Sequence, residues 1–411
     1  MGTRHLRGLA STRETRRVTY STRSAIDDAP SQLSIALEAL RSSQQDLIDL
    51  SVSNPTRVGL SYAVYGLEGL AASSAGASYA PDPLGLPSAR EAVARHWPGR
   101  AARPDPEQVL LLPSSSEAYL YLFTLLCNAG DDVLAPEPSY PLLGHLARYA
   151  GVSLVPYRLS YDGAWHIDLD SVRRARSRRT RAILLISPNN PTGSYTSQVE
   201  LDALARLGLP LISDEVFSRY DLTPERPKPL SALGATSALT FCIDGLSKSA
   251  GLPQVKLSWL AVSGPADEAR EAMRRLTWIA DTFLSVATPI QEALPRLLER
   301  SASFRVELGS RLAKNLASLR TALSGSAATL LGCQGGWYAV VRLPDVATEE
   351  EWVLSLATRG RVLTHPGHFY DFDERAPHLV LSLLAAPEMF ARGARAIRHE
   401  VEARTLAPSE R

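Results

Sequence analysis

The stretch "RAILLISPNNPTGS" (181–194) opens with seven residues that are almost continuously apolar, then breaks into two asparagines, a proline and a glycine. An unbroken apolar run of this length suits a strand buried on both faces, as in a mostly parallel sheet covered by helices. The break reads as a tight turn at the strand's carboxyl end. Working outward, the same kind of run recurs at "QVLLLP" (108–113), "DVLA" (132–135), "VSLVPY" (152–157), "LPLISD" (209–214), "LTFCID" (239–244) and "LSWLAVS" (257–263). Helical patterns such as 116–127 and 198–207 lie between them. The rhythm is βαβ, and it implies an α/β fold: a three-layer αβα large domain with a mostly parallel seven-stranded sheet. From 265 to about 322 the pattern is long and helical. "GWYAVVRLP" (336–344), "RVLTHPG" (361–367) and "HLVLSLL" (378–384) then mark a smaller α+β domain. The expected division is 61–300 for the large domain, with 31–60 and 301–411 for the small one.

Composition excludes more than it assigns. The 411 residues are 45% hydrophobic and 21% charged, with a net charge of +1, so no bulk attraction to nucleic acid or to a membrane surface is expected. No apolar run approaches the ~18 residues that span a bilayer. Three widely separated cysteines, Cys127, Cys242 and Cys333, read as free thiols in a reducing, cytoplasmic setting. Residues 1–30 read as a basic, disordered tail. Its first 24 residues hold six arginines and one acid, so a mitochondrial transit peptide is the alternative.

Chemistry-bearing residues gather at the carboxyl ends of the strands, where open α/β sheets bind ligands. Asp214 ends one strand in "ISDEVFSRY" (212–220), and a carboxylate there needs a cation or several donors unless it merely caps a helix. In "LPSSSEAYLYL" (112–122), serine hydroxyls and the N–H groups of a helix start can bind an anion such as phosphate, or can simply cap the helix through Ser115 or Ser116. Lys248 lies in "GLSKSAGLPQVK" (245–256). The 44 basic residues of the chain include only four lysines, Lys228, Lys248, Lys256 and Lys314. A lysine in a dry site can lose its proton and attack a carbonyl, which arginine cannot do.

The ordered set "YAPDPLGLPSAR" (79–90), "SSSEA" (114–118), "EPSYP" (137–141), "NNPTG" (189–193), "DEVF" (214–217), "SKSAG" (247–251) and "GGWY" (335–338) resembles the fold-type I pyridoxal-phosphate enzymes of aminotransferase class I/II, over roughly residues 45–404. The "GLPQ" that follows the lysine resembles an atypical bacterial branch. The resemblance implies pyridoxal 5'-phosphate as cofactor, joined to Lys248 as a Schiff base. Asp214 would pair with the pyridine nitrogen, Asn190 would bond the ring oxygen and Tyr140 would stack on the ring. Ser115 and Ser116 would cradle the phosphate. Tyr79 would reach the phosphate site of a second subunit, which implies a homodimer. The expected reaction is transamination between a small amine or amino acid and a keto acid. Lys248 would be the general base toward the substrate α-proton.

Four positions depart from the family's pattern. Phe217 stands where tyrosine is frequent. Gly245 stands where serine is common, with Ser247 or Ser249 as candidate substitutes. Lys256 stands where arginine usually meets the phosphate. Val380 falls where an arginine usually holds the substrate carboxylate, which leaves Arg57 and His368 as weak substrate-binding candidates. Val380 and Phe217 favour a pyridoxal-phosphate lyase, cyclase or oxidase as the alternative. A non-catalytic regulatory protein on the same fold is the third reading, and the presence of both Lys248 and Asp214 argues against it.

Overall fold

All seven apolar runs become strands of one sheet, because their side chains alternate between two separate apolar layers. The computed structural model describes residues 21–24, 31–43, 47–67, 80–98, 103–235, 237–372 and 375–406. Tyr79 and most of the basic stretch 1–30 lie outside the described residues. A short strand β1 (Ile48–Asp49) precedes the main sheet. That sheet contains β2 (Val109–Leu112), β3 (Asp132–Glu137), β4 (Ser153–Tyr161), β5 (Trp165–Ile167), β6 (Thr180–Ile186), β7 (Leu211–Asp214), β8 (Thr240–Gly245) and β9 (Ser258–Ser263). Its order is β2-β9-β8-β7-β6-β3-β4-β5.

The sheet therefore has eight strands where seven were expected. The extra one, β5, is three residues long and folds back antiparallel on the end of β4, pairing Leu159 with Ile167. Strands β4, β3, β6, β7 and β8 run parallel. β9 is antiparallel to both β8 and β2. It therefore begins at the edge of the sheet where its two neighbours end.

Along the strands, Leu110, Leu112, Phe241, Ile243, Leu260 and Val262 pack with the helices Ser115–Leu126, Leu142–Ala150 and Ala266–Phe283. Val109, Leu111, Cys242, Trp259 and Ala261 point to the opposite layer, with the helix Gln198–Ala205 and the 36-residue helix Thr288–Leu323. Period-two alternation with both faces buried is why these runs are apolar throughout. The second layer continues into the smaller unit. Its strands β10 (Thr329–Leu330), β11 (Tyr338–Arg342), β13 (His365–Pro366) and β14 (His378–Ser382) form an antiparallel sheet, while β12 (Val362–Leu363) pairs with β1. The expected boundary at residue 300 falls inside the helix Thr288–Leu323, which serves both units.

Among the described residues no helix is long and apolar enough to cross a membrane. Cys242 and Cys333 are buried free thiols and Cys127 is a half-buried one.

Candidate active site

Five strand ends build the site. The ends of β2, β3, β6, β7 and β8 lead into Ser114–Ser116, Pro138–Tyr140, Asn189–Asn190, Glu215–Phe217 and Leu246–Lys248. These segments wall a cavity of about 160 Å³. Of the residues singled out in the sequence, it is lined by Ser115, Ser116, Tyr140, Asn190, Asp214, Phe217, Gly245, Ser247 and Lys248.

Each wall has a local cause. The Ser114 side chain accepts from the Glu117 N–H and caps the helix Ser115–Leu126. The cap is thus neither Ser115 nor Ser116, and both are left on the cavity wall beside the positive end of a twelve-residue helix. Asn190 is buried, and its Oδ1 has no hydrogen-bond partner. A buried polar atom of this kind calls for a polar ligand.

Asp214 receives the Tyr119 hydroxyl on Oδ2 at 2.6 Å and the Val216 N–H on Oδ1 at 3.2 Å. Burial pushes its pKa above the ordinary carboxylate value, and these two donors and the Lys248 charge pull it back down. Lys248 is half-buried as well, and partial loss of water lowers its pKa while the Asp214 charge opposes the fall. Its Nζ lies 5.1 Å from the Trp337 ring centroid and 5.8 Å from that of Phe217. The two rings meet edge to face at 5.3 Å. The amine therefore sits between an aromatic wall and a single carboxylate, where the neutral form is easier to reach than at a surface.

The turn that carries Lys248 is clamped by three phenols. Tyr220 donates to the Lys248 carbonyl at 2.8 Å, Tyr65 to that of Ala250 at 2.7 Å and Tyr62 to that of Gly251 at 2.7 Å. Tyr220 thus holds the lysine's backbone and does not replace the missing hydroxyl of Phe217. Ser249 donates to the Gly245 carbonyl at 2.7 Å, so its hydroxyl is also committed to the backbone.

Several expected residues stand elsewhere. Lys256 is exposed, with a left-handed backbone (φ 56°), and is not on the cavity wall. Arg57 is exposed and off the wall. His368 is half exposed, and its Nδ1 lies 3.0 Å from the Glu349 carboxylate rather than in the cavity. Val380 is buried in β14 opposite Val340. Among the described residues on the wall, Lys248 is the only cation.

The reading of the sequence missed Tyr119, Ser258, Ser53 and Tyr338, all of which line the cavity. Tyr119 carried a usable signal. It lies four residues after Ser115, so both share one face of the helix.

The donor set fits pyridoxal phosphate. It offers a hydroxyl-bearing helix start for a dianion, a half-buried carboxylate and a partly desolvated lysine on one cavity wall. The chain matches the sequence profile of the family "Aminotransferase class I and II" over residues 45–383. It is 30% identical over 238 residues to the glutamate-pyruvate aminotransferase of Escherichia coli strain K12, covering 56% of this chain and 58% of that one. Against the S-alkyl-thiohydroximate lyase of Arabidopsis thaliana it is 30% identical over 241 residues, covering 56% and 51%. The matched part thus spans little more than half the length of these curated relatives. Among solved structures, the alanine aminotransferase of Pyrococcus furiosus superposes with a TM-score of 0.81 at 23% identity, covering 94% of this chain and all (100%) of that one. An aspartate aminotransferase single mutant of Thermus thermophilus gives 0.79 at 22% identity, covering 93% and 100%. At such identities the superpositions speak for the fold.

Proposed function

This chain belongs to the aminotransferase class I and II family, and from that premise we propose that it moves an amino group between an amino acid or related small amine and a keto acid, with pyridoxal phosphate as cofactor. The observation that carries the proposal is the pairing of Lys248 and Asp214 on the wall of one cavity, each half-buried and each shifted toward its neutral form by desolvation. Bound there, the cofactor supplies an aldehyde that captures amines and a protonated ring that withdraws electrons from the substrate carbon.

The residues of the chain divide the remaining work. The Lys248 amine would hold the cofactor and, when free, would take the substrate α-proton and return it. Asp214, ionised, keeps a proton on the ring nitrogen through a charge-assisted hydrogen bond. Tyr119 and the Val216 N–H keep that carboxylate oriented. Asn190 is assigned to the ring oxygen and Tyr140 to the ring face. Ser115, Ser116 and Ser247 are assigned to the phosphate, with the helix amides. Lys256 is assigned to the phosphate on resemblance alone, since it is exposed and off the wall. Phe217 and Tyr338 exclude water from the cavity.

We also propose a homodimer in which Tyr79 of one subunit serves the other's site. Trp278 (70% exposed), Phe283 and Leu284 are exposed apolar side chains at the carboxyl end of the helix Ala266–Phe283 that such a contact would cover. The alternative within the fold is a lyase, favoured by Phe217 and Val380 in place of the usual polar groups.

The names of the relatives make L-glutamate and L-alanine the first substrates to try. The protein is loaded with pyridoxal phosphate, then mixed with each amine of a panel. Transamination predicts bleaching of the visible band to the amine form of the cofactor, reversed by pyruvate or another keto acid. Ammonia or a cyclised product without that reversal supports the lyase and overturns the transaminase.

A further inference from the structure

Position 245 is a glycine where the family commonly carries serine, and the structure contains a reason. Gly245 on β8 is the cross-strand partner of Ser258, the first residue of β9. A Cβ built on Gly245 would lie 2.2 Å from Ser258 Oγ, 2.8 Å from its Cβ and 2.9 Å from its Cα. A side chain at 245 is excluded by the Ser258 backbone as well as by its hydroxyl, so on this cross-strand pair a hydroxyl can come only from 258. Ser258 is also the partner of Leu112, the last residue of β2, two residues before the serine run 114–116. It therefore stands between the end of β2, which delivers Ser115 and Ser116, and the end of β8, which delivers Ser247 and Lys248. It lines the same cavity as those four. Ser249 is unavailable because its hydroxyl is bonded to the Gly245 carbonyl.

Resting on the cofactor reading above, we infer that Ser258 supplies a hydroxyl donor to the cofactor's phosphate from the neighbouring strand, in place of a side chain at 245. The exchange keeps the number of donors and moves the point of attachment from β8 to β9.

The test uses cofactor-stripped protein titrated with pyridoxal phosphate and with pyridoxal, which lacks the phosphate. Loss of one hydrogen bond to a charged group in Ser258→Ala raises the Kd for pyridoxal phosphate roughly 10- to 100-fold. The Kd for pyridoxal stays within about twofold, and the melting temperature of the stripped variant matches the wild type. An unchanged Kd for pyridoxal phosphate in Ser258→Ala overturns the inference, as does an equal loss for both ligands. Wild-type protein that fails to bind pyridoxal phosphate overturns the cofactor reading instead, so the two failures are told apart.

Discussion

Tyr119→Phe removes one atom from the site, the hydroxyl that donates to Asp214 Oδ2 at 2.6 Å. Tyr119 is buried, and Asp214 is half-buried on the cavity wall. A hydrogen bond to a charged group contributes about 1.5–3 kcal/mol, equivalent to roughly one to two pKa units. The Asp214 pKa is already raised by burial and is held down in part by this bond, so the substitution raises it further. The sign with pH follows. A carboxyl whose folded pKa exceeds its unfolded value of 3.8 stabilises the fold relatively best below 3.8, and that advantage is lost as pH rises through the folded pKa. The variant lacks the donor that softens this loss, so its deficit is small where Asp214 is neutral and reaches its full size where Asp214 is ionised. For 411 residues the unfolding entropy is about 0.9 kcal/mol/K, so the full deficit lowers Tm by roughly 2–3 °C. The assay is thermal melting of cofactor-free wild type and variant at steps from pH 4 to pH 8. The expected result is a deficit that grows as pH rises. A deficit that stays constant or shrinks over that range refutes the assignment of Tyr119 to the carboxylate.

Two further outcomes follow from where other residues sit. Arg57→Ala and His368→Ala each leave the substrate KM within about twofold, because neither side chain lines the cavity; a tenfold rise in either would place the carboxylate partner there after all. Gly251→Ala lowers Tm by roughly 2–5 °C, since position 251 has φ 66° and a Cβ there would meet the buried Phe304 ring at 2.3 Å. A loss under half a degree would mean that the lysine turn is not held as tightly as its contacts imply.

The strands were legible because double-sided burial leaves a long apolar run in the sequence, whereas their order in the sheet depends on pairings between distant segments and was not. The site was legible wherever its residues cluster next to those runs, as Asp214, Asn190 and Lys248 do. What escaped depends on register. Gly245 and Ser258 are thirteen positions apart, and only the pairing of β8 with β9 brings them face to face. The Tyr119 hydroxyl meets a carboxylate 95 positions away, so its partner could not be read locally. Strand β5 is too short for three residues to display an alternation, and the long helix Thr288–Leu323 runs through Pro295 across the expected domain boundary. The missing arginine at 380 was visible at once, yet both sequence-based substitutes proved to stand off the cavity. Polarity alone does not say which way a side chain on a loop will turn.

The account stands most directly on one lysine. The protein is loaded with pyridoxal phosphate, reduced with borohydride to fix any lysine-bound cofactor, digested and mapped by mass spectrometry. With only Lys228, Lys248, Lys256 and Lys314 in the chain, the map has four possible positions. The expected result is the cofactor mass on Lys248 alone, with none in Lys248→Ala. Cofactor fixed on another lysine, or on none in protein that retains its fold, contradicts the account.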